Sequence, residues 1–252
     1  MTVKTSFEDG IGRLVLNNPP VNILTRGVMG ELREGLAGLA AEEALRVVVL
    51  MAEGKHFSAG ADVGEHLPPE YEGMIPEFID TIKAIYRFSL PVIAAVRGRC
   101  LGGGFEVAQA ADIVIAGESA AFGQPEILLG VLPPAACAVL PELCAPGLAA
   151  ELVLAGDPIG AAEAAAAGLV RRVVADEKVE EEALALAGRI ARHSAAALRQ
   201  TKEALRTGSR ARVVEAMDRA GAIYVDRLMA TEDAVEGLQA FLEKRTAEWK
   251  HR

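Results

Sequence analysis

The sequence predicts an α/β protein: a sheet built from βα units, followed by a purely helical C-terminal part. Three observations point there. Short β-branched runs alternate with amphipathic stretches over the first two-thirds of the chain. No such run occurs after about Lys178. Hydrophobic residues make up 51% of the 252, enough to bury a core without disulfides or metals.

Residues 11–16, 46–51, 91–96, 112–116 and 169–174 read as strands. Between them, residues 25–40 carry Val28, Leu32, Leu36 and Leu39 at helical spacing behind Thr25, a good N-cap. Residues 75–88 are similarly amphipathic. Beyond Lys178, residues 181–193, 194–207, 213–229 and 231–249 read as helices. The last begins with Thr231, Glu232 and Asp233 and gathers Lys244, Arg245 and Lys250 toward its end, so charges complement the dipole at both termini. No linker, repeat or low-complexity segment interrupts the chain. A soft boundary at residue 195 separates a core (1–195) from a C-terminal helical subdomain (196–252).

Composition excludes several functions. Aromatic residues are only 4% and the net charge is −9, which leaves neither a stacking surface nor a basic stripe for nucleic acid. Cys100, Cys137 and Cys144 are an odd number without CxxC or Cys/His ligand spacing, so no disulfide framework and no metal site are expected. Neither a leader nor a long apolar run is present to suggest export or a membrane span, and a cytoplasmic location is expected.

Three stretches carry chemistry. Gly54-Lys-His-Phe-Ser-Ala-Gly-Ala-Asp62 follows a strand, and its small residues allow close backbone approach to a ligand; a plain glycine-rich strand exit explains it equally well. Gly98-Arg-Cys-Leu-Gly-Gly-Gly-Phe-Glu106 ends a strand and opens a short helix, where free N–H groups favour charge developing on an oxygen. It lacks the Lys-Ser/Thr of a phosphate loop and the spacing of a dinucleotide fingerprint. Glu106 also fits as a plain helix-start carboxylate. Phe122-Gly-Gln-Pro-Glu126 adds a second carboxylate among apolar neighbours. Two such groups, one protonated and one ionised, are the usual apparatus of general acid–base chemistry. Neither His56 nor His66 has a partner spaced to make it a ligand.

These three segments, in this order and at these separations, resemble the signatures of the enoyl-CoA hydratase (crotonase) superfamily. The resemblance implies the ClpP-like spiral of ββα units and a carbon–oxygen lyase that adds water to a conjugated coenzyme A (CoA) thioester. It implies an oxyanion hole at the Ala59 and Gly103 N–H groups and catalytic carboxyls at Glu106 and Glu126. It further implies CoA contacts from Asn22, Ala59, Gly60, Ala61 and Asp62, with Phe241 and Lys244 reaching the nucleotide of a neighbouring subunit in a homohexamer, a dimer of trimers. No separate cofactor is implied, CoA being part of the substrate.

Where ordinary hydratases carry a glycine-rich segment after the second glutamate, this chain has Leu132-Pro-Pro-Ala-Ala-Cys-Ala-Val-Leu-Pro141. With Glu65-His66-Leu-Pro68 and Ala222-Ile-Tyr-Val225, that segment is similar to the cyclohexa-1,5-diene-1-carbonyl-CoA hydratases. Leu132, Pro134 and Cys137 are then expected to shape the acyl pocket. A linear enoyl-CoA hydratase and an enoyl-CoA isomerase are the alternatives. A non-catalytic RNA-binding member is disfavoured by the acidic chain and the intact glutamate pair.

Overall fold

An Asp-Gly turn opens the fold of the computed structural model, which describes residues 1–252. Asp9 (φ 50°) and Gly10 (φ 80°) adopt the left-handed conformations that a tight hairpin needs. β1 (Val3–Glu8) therefore folds back antiparallel on β2 (Ile11–Leu16), with Val3 opposite Leu16. α1 (Arg26–Ala40) begins at Thr25, whose side chain accepts the Val28 N–H. The chain continues through β3 (Val47–Ala52), α2 (Tyr71–Tyr86), β4 (Val92–Val96), β5 (Arg99–Leu101), α3 (Gly103–Gln109), β6 (Ile113–Gly117) and β7 (Ala121–Gly123). Next come α4 (Pro134–Leu143), α5 (Pro146–Leu154), β8 (Ile159–Gly160), α6 (Ala161–Ala166) and β9 (Arg172–Val174). Four helices complete it: α7 (Val179–Ala191), α8 (Ala195–Arg206), α9 (Arg210–Ile223) and α10 (Glu232–Glu243).

The main sheet runs in the order β1-β2-β3-β4-β6-β9, parallel except for the first pair, and β5-β7-β8 form a second small sheet. β3 and β4 are apolar at every position because both faces of the sheet are covered. Val47, Val49, Met51, Ile93 and Ala95 meet Val179, Ala183 and Ala187 of α7 on one face. Their alternate neighbours, Val48, Leu50, Val92, Ala94 and Val96, face the larger core with α1 and α2. That core crosses residue 195, since Val213, Val214 and Met217 of α9 belong to it.

The five strands read from periodicity are present, with β9 shortened to Arg172–Val174. β5, β7 and β8 have two or three residues each, too few to show a period, whereas the Asp-Gly turn was a readable signal for β1. α2 starts at Tyr71, a turn earlier than expected, and carries Pro76 in its second turn.

The last helix requires a correction. It stops at Glu243 rather than near Trp249, because Lys244 turns left-handed (φ 56°) and the Arg245 N–H closes onto Ala240 O. The remaining residues run back along α10. Lys250 and His251 backbone N–H groups donate to the Asp233 carboxylate at 2.6 and 2.7 Å, so Lys250 lies beside the start of the helix, not its end.

α8 is tied to the sheet by a buried ion cluster. Lys202 Nζ contacts Asp112 Oδ2 at 2.5 Å and Leu90 O at 2.9 Å, while Arg206 bonds Asp112 Oδ1 at 2.7 Å and stacks 4.1 Å above the Tyr86 ring. Asp112→Ala would leave Lys202 buried without a counter-charge. It is expected to cost about 3–5 kcal/mol in chemical denaturation, and a loss below about 1 kcal/mol would show the cluster to be dispensable.

Candidate active site

Two bridges hold the small-residue loop in place: Ser58 pairs with Cys100 of β5, and Leu24 pairs with Ala61. Within the loop, Ser58 Oγ accepts the Gly60 N–H at 3.2 Å, and Asp62 Oδ1 caps the following turn by accepting the Glu65 N–H at 3.2 Å. The donor expected at Ala59 is not available, because its N–H already donates to Val21 O at 2.9 Å. Ala61 takes that place. The Leu24 bridge uses the flanking Gly60 carbonyl and Asp62 N–H, which leaves the Ala61 N–H without an acceptor in the protein.

The Gly103 N–H is also free, as the first amide of α3. A Cβ built on Gly103 would lie 3.3 Å from Ala61 N, so the two donors are neighbours. Gly102 makes the approach possible. Its φ of 52° disfavours any side chain, and a methyl there would stand 2.6 Å from Glu126 Oε1.

Glu106 projects from α3 and is 2% exposed. Its Oε1 accepts the Ala135 and Ala136 N–H groups at 2.7 and 2.9 Å, in the first turn of α4, which Pro134 begins. Burial raises its pKa, and these two donors pull it back toward the ionised form. Glu126 sits on the short 3₁₀ turn Pro125–Leu129, and its Oε2 is buried without a partner. Burial first, and the charge of Glu106 second, push its pKa well above the ordinary carboxyl range. The pair therefore shares one proton: it rests on Glu126, and Glu106 carries the charge.

Both carboxyls line a cavity of about 660 Å³ together with Ala61, Gly103 and an apolar wall that includes Ile75, Phe78, Val131 and Leu132. The loops, which the sequence could not bring together, meet here. Of the expected acyl-pocket residues, Leu132 and Pro134 line the cavity; Cys137 lies exposed on α4 and does not. Of the expected CoA contacts, Gly60, Asp62 and Phe241 line it, as does Ala59, whose N–H points elsewhere. Asn22 does not. Its side chain is buried and fully used, donating to Glu53 O and His56 O and accepting the Asn18 N–H.

Phe241 lines the cavity of its own chain, which α10 roofs. Gly237 lets this happen, since any side chain there would collide with the Leu129 carbonyl. Lys244 is the helix cap and is not part of the lining; Arg245 is, but it is paired with Glu236 and Glu243. Arg99 and His66 are among the lining residues that the sequence reading did not assign to the site. Arg99 forms no ion pair, and His66 had no readable partner because that partner, Tyr224, is 158 residues away. No group of three or more His, Cys, Asp or Glu side chains converges as a metal site, and no helix is long and apolar enough to cross a membrane.

The enoyl-CoA hydratase/isomerase family model matches residues 6–252, which includes every residue of this cavity. The chain belongs to the enoyl-CoA hydratase/isomerase family. It is 41% identical to the cyclohexa-1,5-dienecarbonyl-CoA hydratase of Thauera aromatica, over 95% of this chain and 93% of that one. It is 37% identical to the 2,3-dehydroadipyl-CoA hydratase of Escherichia coli K12, over 95% and 94%. The fold matches the crystal structure of an enoyl-CoA hydratase/isomerase from Pseudoalteromonas atlantica T6c with a TM-score of 0.91 at 31% identity, covering 99% of this chain and 100% of that one. This is the crotonase fold that the three motifs implied.

For this family member the glutamate pair has a thermodynamic signature. Both carboxyls bind a proton more tightly in the folded than in the unfolded chain, so their contribution to stability is lost as pH rises above the ordinary glutamate range. Glu126→Gln removes the larger of the two effects. Its melting temperature relative to the unmodified protein is expected to be higher at pH 8 than at pH 5; a difference independent of pH would contradict the shared proton. Gly102→Ala is expected to displace the Glu126 carboxylate and destabilise the fold by about 1–3 kcal/mol, measured by denaturation.

Proposed function

We propose that the protein is a hydratase that adds water across a carbon–carbon double bond conjugated to a CoA thioester. One observation carries this reading: an unlike glutamate pair faces the same cavity as two unpaired N–H groups. The thioester oxygen accepts from Ala61 and Gly103 N–H. As the water oxygen bonds to the β-carbon, the π electrons move onto the thioester oxygen to form the enolate, and each donor lowers the barrier by about 3–4 kcal/mol. Glu106, already ionised, takes the proton from the attacking water. Glu126 gives its proton to carbon as the enolate collapses. A proton then passes from Glu106 to Glu126, which restores the starting state.

The finer reading is a cyclic dienoyl thioester, cyclohexa-1,5-diene-1-carbonyl-CoA, hydrated to 6-hydroxycyclohex-1-ene-1-carbonyl-CoA. Its support is the similarity to the Thauera aromatica hydratase and the lining role of Leu132 and Pro134, where the chain departs from the glycine-rich segment of ordinary hydratases. A linear substrate is the second reading, favoured by the similarity to the Escherichia coli enzyme. Arg99, the cavity-lining cation without a carboxylate partner, is suited to the CoA phosphates. Assembly into a hexamer belongs to the same proposal, and light scattering in solution reports it directly.

The deciding experiment offers cyclohexa-1,5-diene-1-carbonyl-CoA and crotonyl-CoA in parallel, follows the ultraviolet absorbance of the conjugated thioester and identifies products by mass. Preferential hydration of the diene supports the finer reading. Turnover of crotonyl-CoA alone leaves a general hydratase, and double-bond migration without water uptake refutes hydration altogether. Glu106→Gln and Glu126→Gln are each expected to lower kcat about 10²–10⁴-fold, and the pH profile of kcat/KM to be bell-shaped.

A further inference from the structure

The cavity wall contains a polar pair that water addition leaves unused. His66 lines the cavity, and its Nδ1 meets the Tyr224 hydroxyl at 2.9 Å, the rings being 5.9 Å apart and tilted by 38°. Tyr224 is fully buried just beyond α9, and His66 is the sole hydrogen-bond partner of its hydroxyl. Burial lowers the His66 pKa to about 4, so the imidazole is neutral, with the Asp62 charge opposing this to a lesser degree. Burial first, and the charge held by the Glu106–Glu126 pair second, keep the phenol protonated.

A neutral imidazole and a neutral phenol can share this bond in two ways. If Nδ1 donated, the buried phenolic proton would be left without an acceptor. The satisfied arrangement has Tyr224 donating to Nδ1, which puts the imidazole proton on Nε2. Nε2 has no partner in the protein. Proton relay through the pair is ruled out, because a tyrosinate would have to form beside two carboxyl groups.

We infer that the His66 Nε2–H, fixed by Tyr224, selects acyl groups that present a hydrogen-bond acceptor to it over groups with a saturated alkyl tail. The inference rests on the hydratase reading and deepens it by naming a feature of the acyl group. An alkyl tail displaces water from the N–H and leaves the donor unsatisfied. The π face of a second double bond supplies a weak acceptor, and an oxygen supplies a strong one.

The test compares kcat/KM for three CoA thioesters of equal chain length: 2-hexenoyl, 2,4-hexadienoyl and a 2-enoyl chain ending in a hydroxyl. The unmodified protein is expected to favour at least one acceptor-bearing chain over hexenoyl by about tenfold or more. Which of the two is favoured identifies the π face or the oxygen as the acceptor. His66→Met is expected to erase the preference, lowering kcat/KM for the favoured acceptor-bearing chain about tenfold more than for hexenoyl, and His66→Gln, which keeps an N–H donor, to retain part of it. Turnover without any preference, or an equal loss for all three chains in His66→Met, overturns the inference and spares the hydratase reading. Hydration neither of these three nor of cyclohexa-1,5-diene-1-carbonyl-CoA removes both. Nitrogen-15 NMR of the imidazole is independent of turnover: protonated Nε2 is expected, changing to a mixture of tautomers in Tyr224→Phe, and protonated Nδ1 in the unmodified protein refutes the arrangement.

Discussion

Two carboxyl groups buried against one another in the same cavity resist both carrying charge, and the design of the site depends on how that conflict is divided. α4 settles it. Its first turn offers two N–H groups to Glu106 and none to Glu126, so the charge settles on Glu106 and the proton on Glu126. The assignment is made by backbone amides 29 and 30 residues away in sequence, not by any property of the glutamates themselves. α4 must therefore begin where it does, and Pro134 at its first position suits that start without wasting a donor.

The same economy governs the donors. Most amides in the 57–62 loop are used to hold the loop: Ala59 bonds to Val21, Gly60 to Ser58 and Asp62 to Leu24. Ala61 is free because a parallel bridge engages the groups on either side of the bridged residue and leaves its own N–H facing away. Glycine at position 102 then lets Glu126 come against the turn that presents Gly103. Packing around the turn and availability of the donors are one arrangement.

The C-terminal helices do more than cover the sheet. α8 is fastened by the Asp112 cluster, α9 enters the main core, and α10 closes the cavity of its own chain. Lys244 and Arg245 show how a helical pattern in sequence can outrun the helix. Both residues suit the last turn of a longer helix, yet one left-handed residue reverses the chain and redirects the basic tail to Glu232, Asp233 and Glu236.

Much of this was legible before any tertiary structure. Hydrophobic periodicity located the long helices and five of the strands, though not the six-residue β1, because burial on a sheet face or helix stripe leaves a local repeat in the chain. The motifs around Gly103, Glu106 and Glu126 named the chemistry through their resemblance to the crotonase superfamily, the residue types alone offering only donor turns and two carboxyls. What only the tertiary structure decided were quantities summed over distant neighbours. The Ala59 N–H is occupied and the Ala61 N–H free because of residues 21 and 24; the proton rests on Glu126 because of residues 135 and 136; His66 has a partner because of Tyr224. Hydrogen-bond satisfaction and desolvation are properties of an environment assembled by folding, and a local stretch of sequence does not contain them.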